Sequence, residues 1–340
     1  MRDLKSFETS RPNPLARTLR WSVLLPLLAF LAFSTASGSS QTLTWAAGVR
    51  DSTTPIGGQS QRVGVGAVSW NSDLWVAYTG TTSVDGKGDA YVYTAHNTGG
   101  TTFGNKAQVV VPAPQVAAAI SNPALLVFAG DLYLFYNDGY GNAYYTYTPN
   151  GTSWSAPYPL ATGFSVDASP SAAVLDSKIY VGLENSASGT LLISSFNSLN
   201  EVTVVSYPSI GLLENPGLAV YNDVLYIAIE STLSSHAIYY YTTSDGVTLS
   251  AANAGAASDQ TSTAPTLSVF NNVLYLGFRS NDASDNFLYK YTTNGTTWSS
   301  SIEPHFGIAG DPTLTTYNGE IYVFWGSQSS PNYLCLSSAP

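Results

Sequence analysis

One cysteine, Cys335, stands in 340 residues, so the chain can form no internal disulfide, and packing must hold the fold. Histidine is nearly as scarce. His96, His236 and His305 are scattered, and no His/Cys/Asp cluster has metal-ligand spacing. No glycine-rich phosphate loop or nucleophile elbow is present, and nothing in the sequence points to a cofactor. Charged residues make up only 10%, whereas hydrophobic residues make up 44%, enough apolar material for a large core and too few charges for a disordered chain. No stretch keeps a helical apolar period. What is abundant is tyrosine, 23 residues, together with threonine, serine, valine and glycine, a composition that favours strands and turns.

The first forty residues differ from the rest. Residues 1–20 carry five basic side chains against Asp3 and Glu8. An apolar run, WSVLLPLLAFLAF, follows at 21–33, and then small residues from Ser34 to Gly38. That order reads as a secretory signal covering 1–40, and the run is short for a full membrane span of about 20 residues. Without this leader seven basic residues face twenty acidic ones, a net charge of about −13. Such a surface repels nucleic acid and anionic lipid, so neither is an expected partner, and no membrane contact is expected after the leader is removed. The expected location is secreted or periplasmic. The composition does not set an oligomeric state.

Residues 41–340 read as one domain built from a repeat. Six segments align: VGAVSWNSDLWVAY from Val65, NPALLVFAGDLYLFY from Asn122, SPSAAVLDSKIYVGL from Ser169, NPGLAVYNDVLYIAI from Asn215, APTLSVFNNVLYLGF from Ala264 and DPTLTTYNGEIYVFW from Asp311. Their marker aromatics, Trp75, Tyr133, Tyr180, Tyr226, Tyr275 and Tyr322, lie 58, 47, 46, 49 and 47 residues apart. The first interval is long because of an insertion around 85–104. A period in the high forties fits a four-stranded propeller blade. Each repeat reads as strand A, a two-residue turn, strand B, a loop, strand C, a tight turn and strand D. Asn150-Gly151, Asp245-Gly246 and Asn294-Gly295 supply the tight turns. The last repeat has room for one more strand only, near 332–337, and Gln41–Val49 is a strand without a repeat. The expected fold is therefore all-β: a six-bladed β-propeller of four-stranded blades, the last closed by the N-terminal strand 41–49. The divergent first repeat leaves five or seven blades as alternatives.

The turns TPNGTSW at 148–154, TTNGTTW at 292–298 and TSDGVTL at 243–249 resemble degenerate Asp-boxes, the S-x-D-x-G-x-T-W turn of sialidase-type β-propellers. The spacing is one residue shorter than in that motif, and only Asp245 keeps the aspartate. The resemblance spans about 62–340 and implies blades; in that family the boxes lie away from the active site. It also implies what a sialidase would need: three arginines on the substrate carboxylate. After the leader there are three, Arg50, Arg62 and Arg279, and GVRDSTTP at 48–55 lacks the family's aromatic-Arg-Ile-Pro order. If the protein is an enzyme, a glycoside hydrolase, its catalytic candidates are Arg50, Arg62, Arg279, Asp167, Glu214 and Asp311, the last three just ahead of strand A at the upper mouth. Glycosidase chemistry needs carboxylates about 5–10 Å apart across a sugar. A ring of carboxylates is also what a solvated rim looks like. The loops DGKGD at 85–89 and NDASDN at 281–286 read first as polar loops, and no metal is expected.

The reading preferred is a binding surface. Loops from D to A and from B to C gather on one face and carry Tyr78, Asn137, Tyr140, Asn185 and Asn281. Tyr136, Asp138, Glu184, Glu230, Arg279, Asp282 and Trp325 are the expected ligand-binding residues. Aromatic faces stack on sugar C–H bonds while carboxylates and amides accept from hydroxyls. The expectation is a non-enzymatic, lectin-like propeller that binds glycan or another extracellular polymer, with a sialidase-like or other glycoside hydrolase as the alternative.

Overall fold

The structure, a computed structural model, describes residues 42–56, 64–83, 90–99, 101–111, 118–119, 121–166, 169–197, 201–232, 236–253, 259–327 and 332–340. Among them are 23 strands and no helix. Strand β1 (Val49–Ile56) belongs to the last blade. Blade 1 is β2 (Gly66–Trp70), β3 (Asp73–Ser83), β4 (Ala90–Asn97) and β5 (Gly104–Gln108), with β6 (Ala118–Ala119) also on β4. Blade 2 is β7 (Ala124–Phe128), β8 (Asp131–Asn137), β9 (Ala143–Thr148) and β10 (Tyr158–Pro159). Blade 3 is β11 (Ser171–Leu175), β12 (Lys178–Asn185), β13 (Thr190–Phe196) and β14 (Thr203–Gly211). Blade 4 holds β15 (Gly217–Tyr221), β16 (Val224–Glu230) and β17 (Ile238–Thr243). Blade 5 holds β18 (Thr266–Phe270), β19 (Val273–Arg279) and β20 (Phe287–Thr292). Their fourth strands are reduced to single bridges, Tyr240 with Asn253 and Tyr289 with Ile302. Blade 6 runs β21 (Ala309–Tyr317), β22 (Glu320–Gly326), β23 (Asn332–Ala339) and β1. The innermost strands touch in the order β2, β7, β11, β15, β18, β21 and back to β2, so six four-stranded blades close a ring.

Local chemistry builds each blade. Every A–B hairpin turns on two residues with positive φ: Asn71-Ser72, Ala129-Gly130, Asp176-Ser177, Asn222-Asp223, Asn271-Asn272 and Asn318-Gly319. This turn matches the right-handed twist of the flanking strands, and Asn, Asp and Gly tolerate the left-handed backbone best. Strand B then lies between two neighbouring blades and is buried along its length, as in β8, β16 and β19. The C–D turns use a Thr–Asx pair. Thr148 Oγ1 accepts from the Gly151 amide at 3.0 Å, and Asn150 Oδ1 accepts from the Thr152 and Ser153 amides at 3.0 and 2.9 Å. Thr243 with Asp245, and Thr292 with Asn294, repeat it. Three backbone amides are thus satisfied by two side-chain oxygens within one turn. The positive-φ Gly151 then sits on Trp75 of the preceding blade, where a Cβ would come 2.6 Å from the ring; Gly246 meets Tyr180 and Gly295 meets Tyr226 in the same way.

The apolar core is divided into six clusters, one per blade boundary. Trp154 from a C–D turn joins Trp70 and Trp75 between blades 1 and 2, and Trp298 packs edge-on against Tyr240 between blades 4 and 5, with ring centroids 5.6 Å apart. At the axis, each strand A places a small residue against the next blade: Gly66, Ala124, Ser171, Gly217, Thr266 and Thr313. The Ser171 and Thr266 hydroxyls accept from the Leu218 and Leu314 amides, and the Thr313 hydroxyl donates to the Val65 carbonyl.

Ring closure departs from the expected strand. Residues 42–48 are not a strand; β1, Val49–Ile56, pairs with β23 from Val49 opposite Leu336 to Ile56 opposite Asn332. The expected segment lies beside the same blade, with the Ala46 amide on the Ser338 carbonyl at 2.8 Å. Trp45 is the reason it leaves the sheet: its indole docks edge-on among Phe287, Tyr289 and Phe306, between blades 5 and 6. Strand β1 is instead held by Asp51, only 3% exposed. Its carboxylate accepts from the Thr53 amide and hydroxyl, from the Thr54 hydroxyl at 2.6 Å and from the Phe103 amide of blade 1 at 3.0 Å. Burial works to raise the pKa of this group. The hydrogen bonds from Thr53, Thr54 and Phe103 outweigh it and hold the carboxyl below the usual range.

Two expectations follow. Gly66→Ala puts a Cβ 2.6 Å from the Pro123 carbonyl, where backbone cannot yield, and should cost about 1–3 kcal/mol in urea denaturation, whereas Gly104→Ala, with open space around it, should be near neutral. The contribution of Asp51 is complete above its unfolded pKa of about 3.9 and disappears as pH falls through the lower folded value. Asp51→Asn should therefore cost about 1–3 kcal/mol at pH 7 and flatten the acid limb of the stability curve.

Candidate functional site

The heads of the six innermost strands surround an axial cavity of about 130 Å³ at the upper face, the face on which those strands begin. Asn122, Ser169, Asn215, Ala264 and Asp311 line it, each ahead of a proline, and Gly64 completes the ring beside Asn122 and Asp311. Proline explains the position: it donates no backbone hydrogen bond, so it stands where the innermost strand begins or, as Pro312 in β21, at a bulge. Around the ring each head tends to answer its neighbour. The Gly64 amide donates to Asn122 Oδ1 at 2.6 Å, the Asn122 amide to Ser169 Oγ at 2.9 Å and the Ala264 amide to Asp311 Oδ1 at 3.1 Å. Asn122 Nδ2 reaches past blade 1 to Asp311 Oδ2 at 2.8 Å. Glycine at 64 lets them meet, because a Cβ there would come 2.7 Å from Asn122 Nδ2.

A second tier follows from strand register. Extending the A–B pairing of blades 2 to 5 by two residues sets Asn137 opposite Asn122, Glu184 opposite Ser169, Glu230 opposite Asn215 and Arg279 opposite Ala264. The structure thus brings Glu184, Glu230, Arg279 and Asp311 to one mouth. Several of these already have protein partners. Asn137 donates to Ser121 Oγ at 2.7 Å, buried Glu230 pairs with His236 Nδ1, and Arg279 pairs with Asp285. Glu214 is half-buried, beside Asn215.

Other candidates lie elsewhere. Tyr136, 3% exposed, belongs to the core between blades 1 and 2, and burial first, then Tyr144 and Asp138, push its hydroxyl pKa up. Trp325, 6% exposed, stacks on Phe306 at 5.1 Å in the core between blades 5 and 6. Asp138 folds its own loop, accepting from the Tyr140 and Asn142 amides and from Asn142 Nδ2. Asp282 does the same with Ser280 and Ser284, and the Ser284 hydroxyl and amide, ahead of Ser280, lower its pKa. Arg50 is on outermost strand β1, its guanidinium 5.1 Å above the Tyr333 ring. It and Arg279 sit on different blades with separate partners. Arg62, Asp167 and the loop 85–89 lie outside the described residues. Among the described residues no group of three or more His, Cys, Asp and Glu side chains could hold a metal.

No family model matches this chain, and no curated protein matches it. Solved structures do. A protein of unknown function from Dyadobacter fermentans superposes with a TM-score of 0.64 at 11% identity, over 87% of this chain and 99% of its own. The sialidase of Trypanosoma rangeli, in complex with the inhibitor DANA, gives 0.58 at 11% identity over 86% of this chain, which spans 60% of that enzyme's length. A subtype N10 neuraminidase-like protein of A/little yellow-shouldered bat/Guatemala/060/2010 gives 0.54 at 7% identity over 88% of this chain and 98% of its own. The fold is therefore a sialidase-like β-propeller.

Asn122, Ser169 and Asn215 did not emerge as site residues from the sequence. Their signal was the residue before proline, recurring in five of six repeats. Asp311→Ala orphans two buried donors, the Ala264 amide and Asn122 Nδ2, and should cost about 2–4 kcal/mol in denaturant unfolding; Asp311→Asn, which keeps an acceptor, should cost less.

Proposed function

We propose that this chain is a secreted or periplasmic propeller that binds a glycan or another extracellular polymer at its upper mouth without cleaving it. The observation that carries this reading is the state of the ionisable groups there. Asp311, Glu230 and Arg279 are held by Asn122, His236 and Asp285, an arrangement that fixes a surface in place. Acid–base cleavage of a glycoside needs two carboxylates free to exchange protons across the sugar. A sialidase-type carboxylate clamp would need Arg50 and Arg279 in one pocket, and each is engaged on its own blade. The amides and hydroxyls of the strand heads suit sugar hydroxyls, and a chain with a net charge of about −13 after the leader favours neutral polymers over acidic ones.

Glycoside hydrolysis is the second reading. It is favoured by the likeness in fold to the Trypanosoma rangeli sialidase and by Glu184 and Glu230 on adjacent blades at one mouth. The test is a polysaccharide pull-down with calorimetry at micromolar protein, run beside a fluorogenic glycoside panel. Retention on at least one neutral polysaccharide with no sugar released is expected. No retention on any polymer removes the binding reading, and sugar release that is lost in Glu230→Gln replaces it with the enzyme.

A further inference from the structure

Asn122 and Asn215 occupy the same position in blades 2 and 4, yet their amides fare differently. Asn122 uses both its oxygen and its nitrogen within the ring. Asn215 is 2% exposed and lines the axial cavity, and neither its Oδ1 nor its Nδ2 has a hydrogen-bond partner in the chain. In blade 2 those partners come from the preceding heads, Gly64 and Asp311. The heads that precede Asn215 in the same way, Ser169 and Asn122, give its side chain no hydrogen bond. A buried amide with two unmet hydrogen-bonding atoms destabilises the chain unless something entering the cavity meets them.

The chemistry of that partner follows from the amide itself. A cation would use Oδ1 and leave the two Nδ2 hydrogens unmet. An anion would use Nδ2 but would face Asp311 in the ring, Glu230 opposite Asn215 and Glu184 on the same mouth, where the cation Arg279 is paired with Asp285. A pair of hydroxyls meets both atoms, one donating to Oδ1 and one accepting from Nδ2. The cavity, about 130 Å³, has room for the hydroxyl-bearing edge of a sugar. Pro216 and Pro265 beside it offer apolar surface to the sugar's C–H bonds.

We infer that the Asn215 amide binds two neighbouring hydroxyls of a neutral sugar at the axis of the propeller and selects neutral over acidic glycans. This rests on the glycan-binding reading above. The test uses the full chain, with Asn215→Ala and Asn215→Leu, titrated by calorimetry with neutral hexaoses (cello-, xylo-, manno- and malto-) and with sialyllactose and oligogalacturonate, and melted without sugar. Expected are neutral binding weakened at least tenfold in Asn215→Ala, no binding of the acidic glycans, and a Tm for Asn215→Leu above that of the parent chain. A lowered Tm for Asn215→Leu means that water or the chain already satisfies the amide, and overturns the inference. Neutral binding that survives Asn215→Ala, or tighter binding of sialyllactose than of the hexaoses, overturns it too, while leaving glycan binding itself in place. A chain that binds no sugar at all removes the functional reading first.

Discussion

Everything in this molecule depends on six strand heads meeting around one axis. The innermost strand of a blade exposes an edge of backbone groups that no fifth strand covers. Here the edge is answered from the side, by a serine or threonine hydroxyl of the neighbouring blade in three places and by close backbone approach over Gly66 and Gly217 in two others. The residues at this level are small for that reason. A leucine there would hold the blades apart, and the six clusters of Leu, Ile, Val and aromatic side chains between blades would lose contact together. The absence of disulfides is tolerable in a ring of this kind, because each apolar cluster is locked between two blades that are themselves locked by the next.

Much of this was legible in the sequence. The repeat period, the six A–B turns and the marker aromatics all follow from local rules: Asn and Asp accept left-handed backbone, strand B is apolar because blades cover both its faces, and the turn glycines seat on Trp75, Tyr180 and Tyr226. The closing strand was misplaced by a few residues. QTLTWAAGV alternates like a strand, but Trp45 finds an aromatic groove between two blades, a tertiary contact that alternation does not report. VRDSTTPI, with a proline, an aspartate and three hydroxyl residues, reads poorly as a strand. It becomes one because Asp51 is satisfied by its own threonines and by blade 1.

The mouth was harder to read. Tyr136 and Trp325 stand at the ends of strands, where an aromatic serves a rim or a core equally well, and only neighbours in space decide; both went to the core. Asp138 and Asp282 are polar loop residues that spend their oxygens on their own turns. Strand register places Glu184, Glu230 and Arg279 on one face, yet the ion pairs of Glu230 with His236 and of Arg279 with Asp285 join residues six apart across a loop and leave no periodic trace. The amides of Asn122 and Asn215 were hidden by their ordinary role beside proline.

The way the ring is shut has a consequence for biogenesis. Ala46 and Ser337, bonded through the serine hydroxyl, are 291 residues apart, and β1 finds no pairing edge until β23 exists. Contacts this remote in sequence carry a large loop-closure entropy and slow the final step of folding. Among the described strands, β1 leaves the ribosome first and is matched last, and until β23 arrives the growing chain carries an open, sticky β edge at each end of an unfinished arc.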